Sequence, residues 1–218
     1  EQDLENSKGV VAPPSSDMKP KWAKGGKPTQ LHFANRRTSY TDEELADCIA
    51  GNFNRYIPDF GVDDARFHDF VQSMLPKVHL VDRVLHVSDQ GGKFGLGEII
   101  AQGDIDEDHW AFKVHFINDP VFPGSLMLEA VNQIEFFFLM HSGIILKAKK
   151  GRVFPLTKRL AKSSFRGQVK PVKSTITYKI SVKEVNELPE RFELIFDVDI
   201  IWQDISVVRV EGLSVGVE

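Results

Sequence analysis

The stretch "SLMLEAVNQIEFFFLMH", residues 125–141, is apolar nearly all the way round a helical wheel. Leu126, Met127, Leu128, Val131, Ile134, Phe136, Phe137, Phe138 and Leu139 do not gather into one stripe at 3.6 residues per turn, the pattern of a helix covered by neighbours on every side. Gly124 or Ser125 marks the start of this helix, and Gly143 lies just past its end. A long sheet wrapped around it is therefore expected. Glu129, Asn132 and Gln133 fall at i, i+3 and i+4, so they share a face on which a carboxyl can meet an amide. Desolvation disfavours a carboxylate, so Glu129 is expected to be a buried acid that keeps its proton.

The ten residues before the helix, "HFINDPVFPG" (115–124), carry chemistry of a different kind. The Asp119-Pro120 and Pro123-Gly124 pairs fix a loop and deliver it to the helix start. Unpaired N–H groups and the positive end of the helix dipole make that start a ready oxyanion site, and Gly124 permits close approach of a ligand. His115 opens the loop. Residues 115–130 thus hold a candidate base, a candidate acid and a candidate oxyanion site.

Outward from the helix, the period changes to that of strands. "KVHLVDRVLHV" and "KFGLGEIIAQGDI" are joined across the turn signal "DQGG". After the helix come "KSSFRGQV", "STITYKISVKEV", "RFELIFDVDIIWQ" and "ISVVRVEGLSVGV", making about six strands around one helix. "GGKFGLGE" has the glycines of a phosphate-cradling loop but leads into no helix, and its glycines are assigned to turns and bulges. No internal repeat is visible, so the chain supplies one copy of this unit.

Nearer the N-terminus, "SYTDEELADCIAGNF" contains a Thr41/Glu44 capping box, with Leu45, Cys48 and Ile49 on one face and Gly51 as the stop. "DDARFHDFVQSML" is a second amphipathic helix candidate ending before Pro76. Residues 1–35 are rich in Pro, Lys, Gly and Ser and read as a flexible linker, basic tract "KPKWAKGGK" included. The division expected is thus linker 1–35, helical segment 36–74 and sheet domain 75–218. A start at Glu1, without Met or an apolar signal segment, points to a piece cut from a larger chain.

The 218 residues suffice for one ordinary core and an extension. With 27 Lys and Arg against 31 Asp and Glu, the net charge of -4 provides no bulk attraction to nucleic acid or an acidic membrane. The greasiest window is broken by Glu129, Asn132, Gln133 and Glu135, so no membrane span is expected. Cys48 is the single cysteine, which excludes an intrachain disulfide framework and suits a reducing cytoplasm.

"HFINDPVFPGSLMLEA" (115–130) closely resembles the active-site motif of the hot dog β-hydroxyacyl-acyl-carrier-protein dehydratases, H-F-x-x-D-P-x-x-P-G-x-L-x-L-[D/E]-A. "LVDRVLHVSDQGGKFGLGEI", "DEDHWAFKVHF", "SSFRGQVKP" and "VEGLSVGV" are similar to strands of the decanoyl-type dehydratase and isomerase, and to dehydratase domains of polyunsaturated fatty acid synthases. The resemblance implies an α+β hot dog fold and dehydration of β-hydroxyacyl thioesters to α,β-enoyl thioesters. It implies His115 as base and Glu129 as acid. The Gly124 N–H would polarise the thioester carbonyl, the Val121 carbonyl would orient the imidazole and Gln133 would hold the carboxyl. Phe116 and Ser125 complete the implied substrate-binding set. It further implies no metal and no cofactor beyond the phosphopantetheine of an acyl carrier protein, and a homodimer or pairing with a second hot dog domain. Decanoyl-type enzymes carry Asp at position 129, and the longer Glu bears against isomerisation. The alternatives are a hot dog thioesterase, in which Glu129 would activate water, and a noncatalytic hot dog scaffold.

Overall fold

The computed structural model describes residues 27–50, 52–57, 78–157 and 159–218. The helix expected between residues 63 and 75, most of the expected linker and the Gly51 stop lie outside them. Among the described residues eight strands form one antiparallel sheet: β1 (Lys27–Pro28), β2 (Arg83–Ser88), β3 (Glu98–Ile105), β4 (Val153–Pro155), β5 (Lys162–Phe165), β6 (Ser174–Leu188), β7 (Arg191–Trp202) and β8 (Ile205–Val217). The main order is β2-β3-β6-β7-β8-β4, with β1 on the far end of β6 and β5 on β8. β1 and β4, with two and three residues, are too short to leave a readable alternation.

The central helix runs Gly124–His141. Met127, Ala130, Val131, Ile134, Phe137, Phe138, Leu139 and Met140 are all buried. Burying one large apolar side chain stabilises by about 1.5–3 kcal/mol, so this helix carries a large share of the folding free energy. Gly143 adopts φ 72°, the left-handed conformation that stops a helix cheaply, as its position in the sequence implies. At the other end the helix begins at Gly124, one of the two starts expected, and the N-cap Pro123 supplies no side-chain hydrogen bond.

The long strands bend around the helix at irregularities in pairing, between Val182 and Glu184 on β6 and between Phe196 and Asp197 on β7. At Gly103 the backbone of Leu80 approaches so closely that a Cβ would lie 2.2 Å from its carbonyl oxygen, so only glycine fits there. Between β2 and β3, Gly91, Gly92, Gly95 and Gly97 all have positive φ, the turn role assigned to them in preference to phosphate binding.

Two expectations need correction. "DEDHWAFKVHF" does not form a strand: Trp110–Val114 is a short helix, whose first turn is capped by His109 Nδ1 accepting from the Ala111 N–H at 3.2 Å. The flexible stretch does not extend to residue 35, because Leu31, Phe33 and Asn35 alternate inward and are buried. Phe33 packs edge-on against Phe138, with ring centroids 5.5 Å apart. Asn35 donates to the Tyr40 hydroxyl at 3.0 Å and to the Tyr56 carbonyl at 3.1 Å. Tyr40 in turn lies 2.9 Å from His141 Nδ1, at the last residue of the central helix. Burial pushes the His141 imidazole down to about 4, so it is neutral near physiological pH and acts as a hydrogen-bonding element. This polar cluster, together with the Leu31 and Phe33 contacts, fastens the N-terminal segment onto the core. The capping box forms as read: Glu44 N–H donates to Thr41 Oγ1, and Thr41 N–H to Glu44 Oε2, over a helix Asp42–Ile49 that buries Leu45 and Cys48.

Candidate active site

His115 ends the short helix Trp110–Val114, its N–H bonded to the Ala111 carbonyl at 3.0 Å. The loop then folds back, so that the Val121 N–H donates to the His115 carbonyl at 2.8 Å. In return the imidazole Nδ1 lies 3.1 Å from the Val121 carbonyl oxygen. A carbonyl only accepts, so Nδ1 carries the hydrogen and, in the neutral ring, Nε2 keeps the lone pair. That is the tautomer required of a base acting through Nε2. Phe116 stacks on the imidazole at 4.2 Å between centroids and is itself exposed. Across the loop, Phe116 and Asp119 exchange two backbone hydrogen bonds of 3.2 Å, and Lys170 pairs with Asp119 at 2.8 Å. The loop is therefore held at both ends and across its middle.

Val121 and Phe122 are buried, and the Phe122 N–H is bound to the Val169 carbonyl at 2.9 Å, which docks the chain just before the central helix begins. N–H groups in the first helical turn have no intrahelical acceptor. Gly124 thus presents a donor at the positive end of an eighteen-residue helix, with exposed Ser125 beside it. The close neighbour that a glycine allows here is Phe165 of β5: a Cβ on Gly124 would lie 2.5 Å from that ring. Phe165 is largely exposed and stands over the helix start.

The helix face read as buried is differently arranged. Glu129 is exposed in the single chain, so it is not desolvated there as expected. Its Oε2 accepts from Asn132 Nδ2 at 3.2 Å. Gln133 does not hold the carboxyl. Its Nε2 donates to the Val78 carbonyl at 3.0 Å and its Oε1 accepts from the Leu80 N–H at 3.3 Å, tying the segment before β2 to the helix. The i+3 amide, not the i+4 amide, is the partner of Glu129, because Gln133 is engaged by the segment before β2 while Asn132 is exposed.

The buried carboxyl on this helix is Glu135, only 7% exposed. Its Oε1 has no hydrogen-bond partner among the described residues. Desolvation pushes this carboxyl up to about 8, so the protonated form predominates at neutral pH. A signal for it was present in the sequence: Glu135 is four residues after Val131 and three before Phe138, so its helical neighbours on both sides are core residues.

A curled antiparallel sheet around one buried apolar helix, with a histidine loop leading into that helix, defines the hot dog class. The FabA-like domain family matches residues 74–211, and the chain belongs to that family. Among solved structures, the dehydratase heterocomplex ApeI:P from Xenorhabdus doucetiae aligns at 14% identity and a TM-score of 0.45, over 64% of this chain and 83% of that one. A hypothetical thioesterase with coenzyme A from Streptococcus pneumoniae aligns at 12% identity and a TM-score of 0.43, over 62% and 84% of the two chains. The TT0310 protein from Thermus thermophilus aligns at 13% and 0.40, over 69% and 97%. No helix among the described residues is long and apolar enough to cross a membrane.

Proposed function

We propose that the chain dehydrates β-hydroxyacyl thioesters, with His115 as base and Glu129 as acid. The observation that carries this reading is the 3.1 Å contact of His115 Nδ1 with the Val121 carbonyl, which leaves Nε2 as the basic atom on a loop leading into a helix start that has no side-chain cap. Nε2 takes the proton from the α-carbon, and the developing charge on the thioester oxygen is met by the Gly124 N–H. One such donor contributes about 3 kcal/mol in an enclosed site. The β-hydroxyl then leaves as water with the proton of Glu129, and the α,β double bond forms. A proton passed from the imidazolium back to the carboxylate restores both groups. The acyl chain arrives on the phosphopantetheine of an acyl carrier protein, within a fatty acid or polyunsaturated fatty acid assembly in the cytoplasm.

Two features of the single chain support pairing of two such units. Val114, Phe116 and Ile117 around the histidine loop, and Phe165 on β5, are large apolar side chains left exposed, Ile117 at 85%. Glu129 is also exposed, although the chemistry needs it protonated. In an isologous dimer that sets His115 of one unit against Glu129 of the partner subunit, both are covered and Glu129 is desolvated.

The test is ultraviolet detection of a conjugated enoyl thioester from a β-hydroxyacyl surrogate, with double-bond position resolved. A conjugated product is expected. Free thiol without enoyl product would show hydrolysis, and neither product would leave a scaffold; a dominant β,γ-enoyl product would show isomerisation despite Glu at 129. Glu129→Gln is expected to lower turnover by at least about 10²-fold, because an amide keeps the shape but is too weak an acid for the leaving oxygen. Undiminished turnover would reduce Glu129 to a structural residue. Mixing inactive His115→Ala and Glu129→Gln chains restores activity if the site is shared: random exchange makes about half the dimers mixed, each with one intact site, so about a quarter of all sites work. No recovery after verified exchange would place each site within one chain.

A further inference from the structure

Between the central helix and strands β4 and β8 lies a cavity of about 250 Å³. Phe136, Leu139, Phe154 and Leu213 contribute apolar wall, and Asn132, Glu135 and Ser214 contribute the polar groups. Asn132 belongs to both the cavity and the candidate site, since it lines the one and donates to Glu129 Oε2 in the other. Glu129 and Glu135 are separated along the helix axis by about 9 Å. Six residues also turn the helix by about 240°, so a chain whose β-carbon sits at Glu129 needs more than about seven carbon–carbon bonds to reach Glu135.

A fully hydrocarbon cavity would serve a hydrocarbon tail better than this one. Glu135 is buried, its Oε1 has no hydrogen-bond partner among the described residues, and leaving such a group unsatisfied is costly. The protonated carboxyl can donate one hydrogen bond and accept others. A ligand oxygen placed here recovers what the empty cavity forgoes, whereas a terminal methyl does not. Ionic tails are disfavoured by mainly apolar walls, which solvate neither a carboxylate nor an ammonium.

We propose that this cavity receives the distal part of the acyl chain and that Glu135 selects chains bearing an uncharged oxygen there, a hydroxyl or keto group, over plain hydrocarbon chains. The assignment of the occupant as an acyl thioester rests on the dehydratase reading; the preference for an oxygen rests on Glu135.

The experiment measures binding apart from turnover, by calorimetry on the full chain. The probes are two unreactive saturated acyl-pantetheine thioesters, each about twelve carbons long, somewhat beyond the minimum that the axial spacing sets. One carries a terminal hydroxyl and the other a terminal methyl. The wild-type protein is expected to bind the hydroxylated probe about 3–10-fold more tightly, as one net hydrogen bond implies. Glu135→Leu abolishes or reverses the preference, while Glu135→Gln, which keeps a group able to bond a hydroxyl, retains it and serves if the leucine variant does not fold. Equal affinities in the wild-type protein, a preference that survives Glu135→Leu, or binding of neither probe would each overturn the proposal. The β-hydroxylated versions of both probes then test turnover. Discrimination in binding without any enoyl product defeats the dehydratase reading alone; dehydration without discrimination defeats this inference alone.

Discussion

His115→Ala is expected to lower kcat/KM for a β-hydroxyacyl thioester by about 10²–10⁴-fold, the range for loss of a positioned general base. The same change removes one hydrogen bond, from Nδ1 to the Val121 carbonyl, at a half-buried loop position outside the apolar core. Such a bond contributes about 1 kcal/mol, and in a chain of this size that moves Tm by about 2–4 °C. The disproportion between the two effects is the point of the measurement. A variant that loses activity only in proportion to its unfolded fraction would make His115 a fold residue. A folded, fully active variant would remove the base from the proposed reaction. His115→Gln is a useful companion, because its side-chain amide can still donate to Val121 while supplying no basic nitrogen.

Glu135→Leu is expected to stabilise the protein, and to do so more as the pH rises. The carboxyl is at about 8 in the folded chain and at its ordinary value of 4.5 once exposed. A raised folded-state value contributes stability that is complete below 4.5 and is lost as the pH climbs through about 8. Across that window the unfolded chain releases a proton that the folded chain retains, and the cumulative loss is on the order of 4 kcal/mol. Leucine removes the titration and leaves a side chain suited to neighbours such as Phe136 and Leu139. Urea denaturation at several pH values between about 5 and 8 checks this, with the wild-type midpoint falling steadily and the variant midpoint falling less. Parallel midpoints would mean that Glu135 finds a partner or water in solution. Retention of a group this costly in the core is what a ligand role for the cavity explains.

Much of the architecture was readable because it depends on periods. β6, β7 and β8 match the runs "STITYKISVKEV", "RFELIFDVDIIWQ" and "ISVVRVEGLSVGV", since β-branched residues bounded by turn residues describe a strand locally. The packed path of Leu31, Phe33 and Asn35 was hidden by the Pro- and Gly-rich composition around it. Its two-residue alternation is present, but too short to outweigh that composition until β1 pairs with β6. Trp110–Val114 is likewise a single short helical turn whose capping depends on His109.

At the site, the division follows the range of each interaction. The apolar circumference of residues 125–141, the Pro-bounded loop and the His115 to Gly124 spacing are properties of neighbouring residues, and local sterics and burial dictate them. Which carboxyl is buried depends on what stands opposite each turn of the helix. Glu129 and Glu135 are both acidic residues on one apolar helix, yet Glu129 faces solvent while Glu135 is enclosed beside β4 and β8. Gln133 turns from Glu129 to Val78 and Leu80 for the same reason, because backbone groups brought there from more than fifty positions away in the chain need its amide. Helical periodicity places side chains on a face; only the packed sheet determines which face meets water, and hence where a carboxyl keeps its proton.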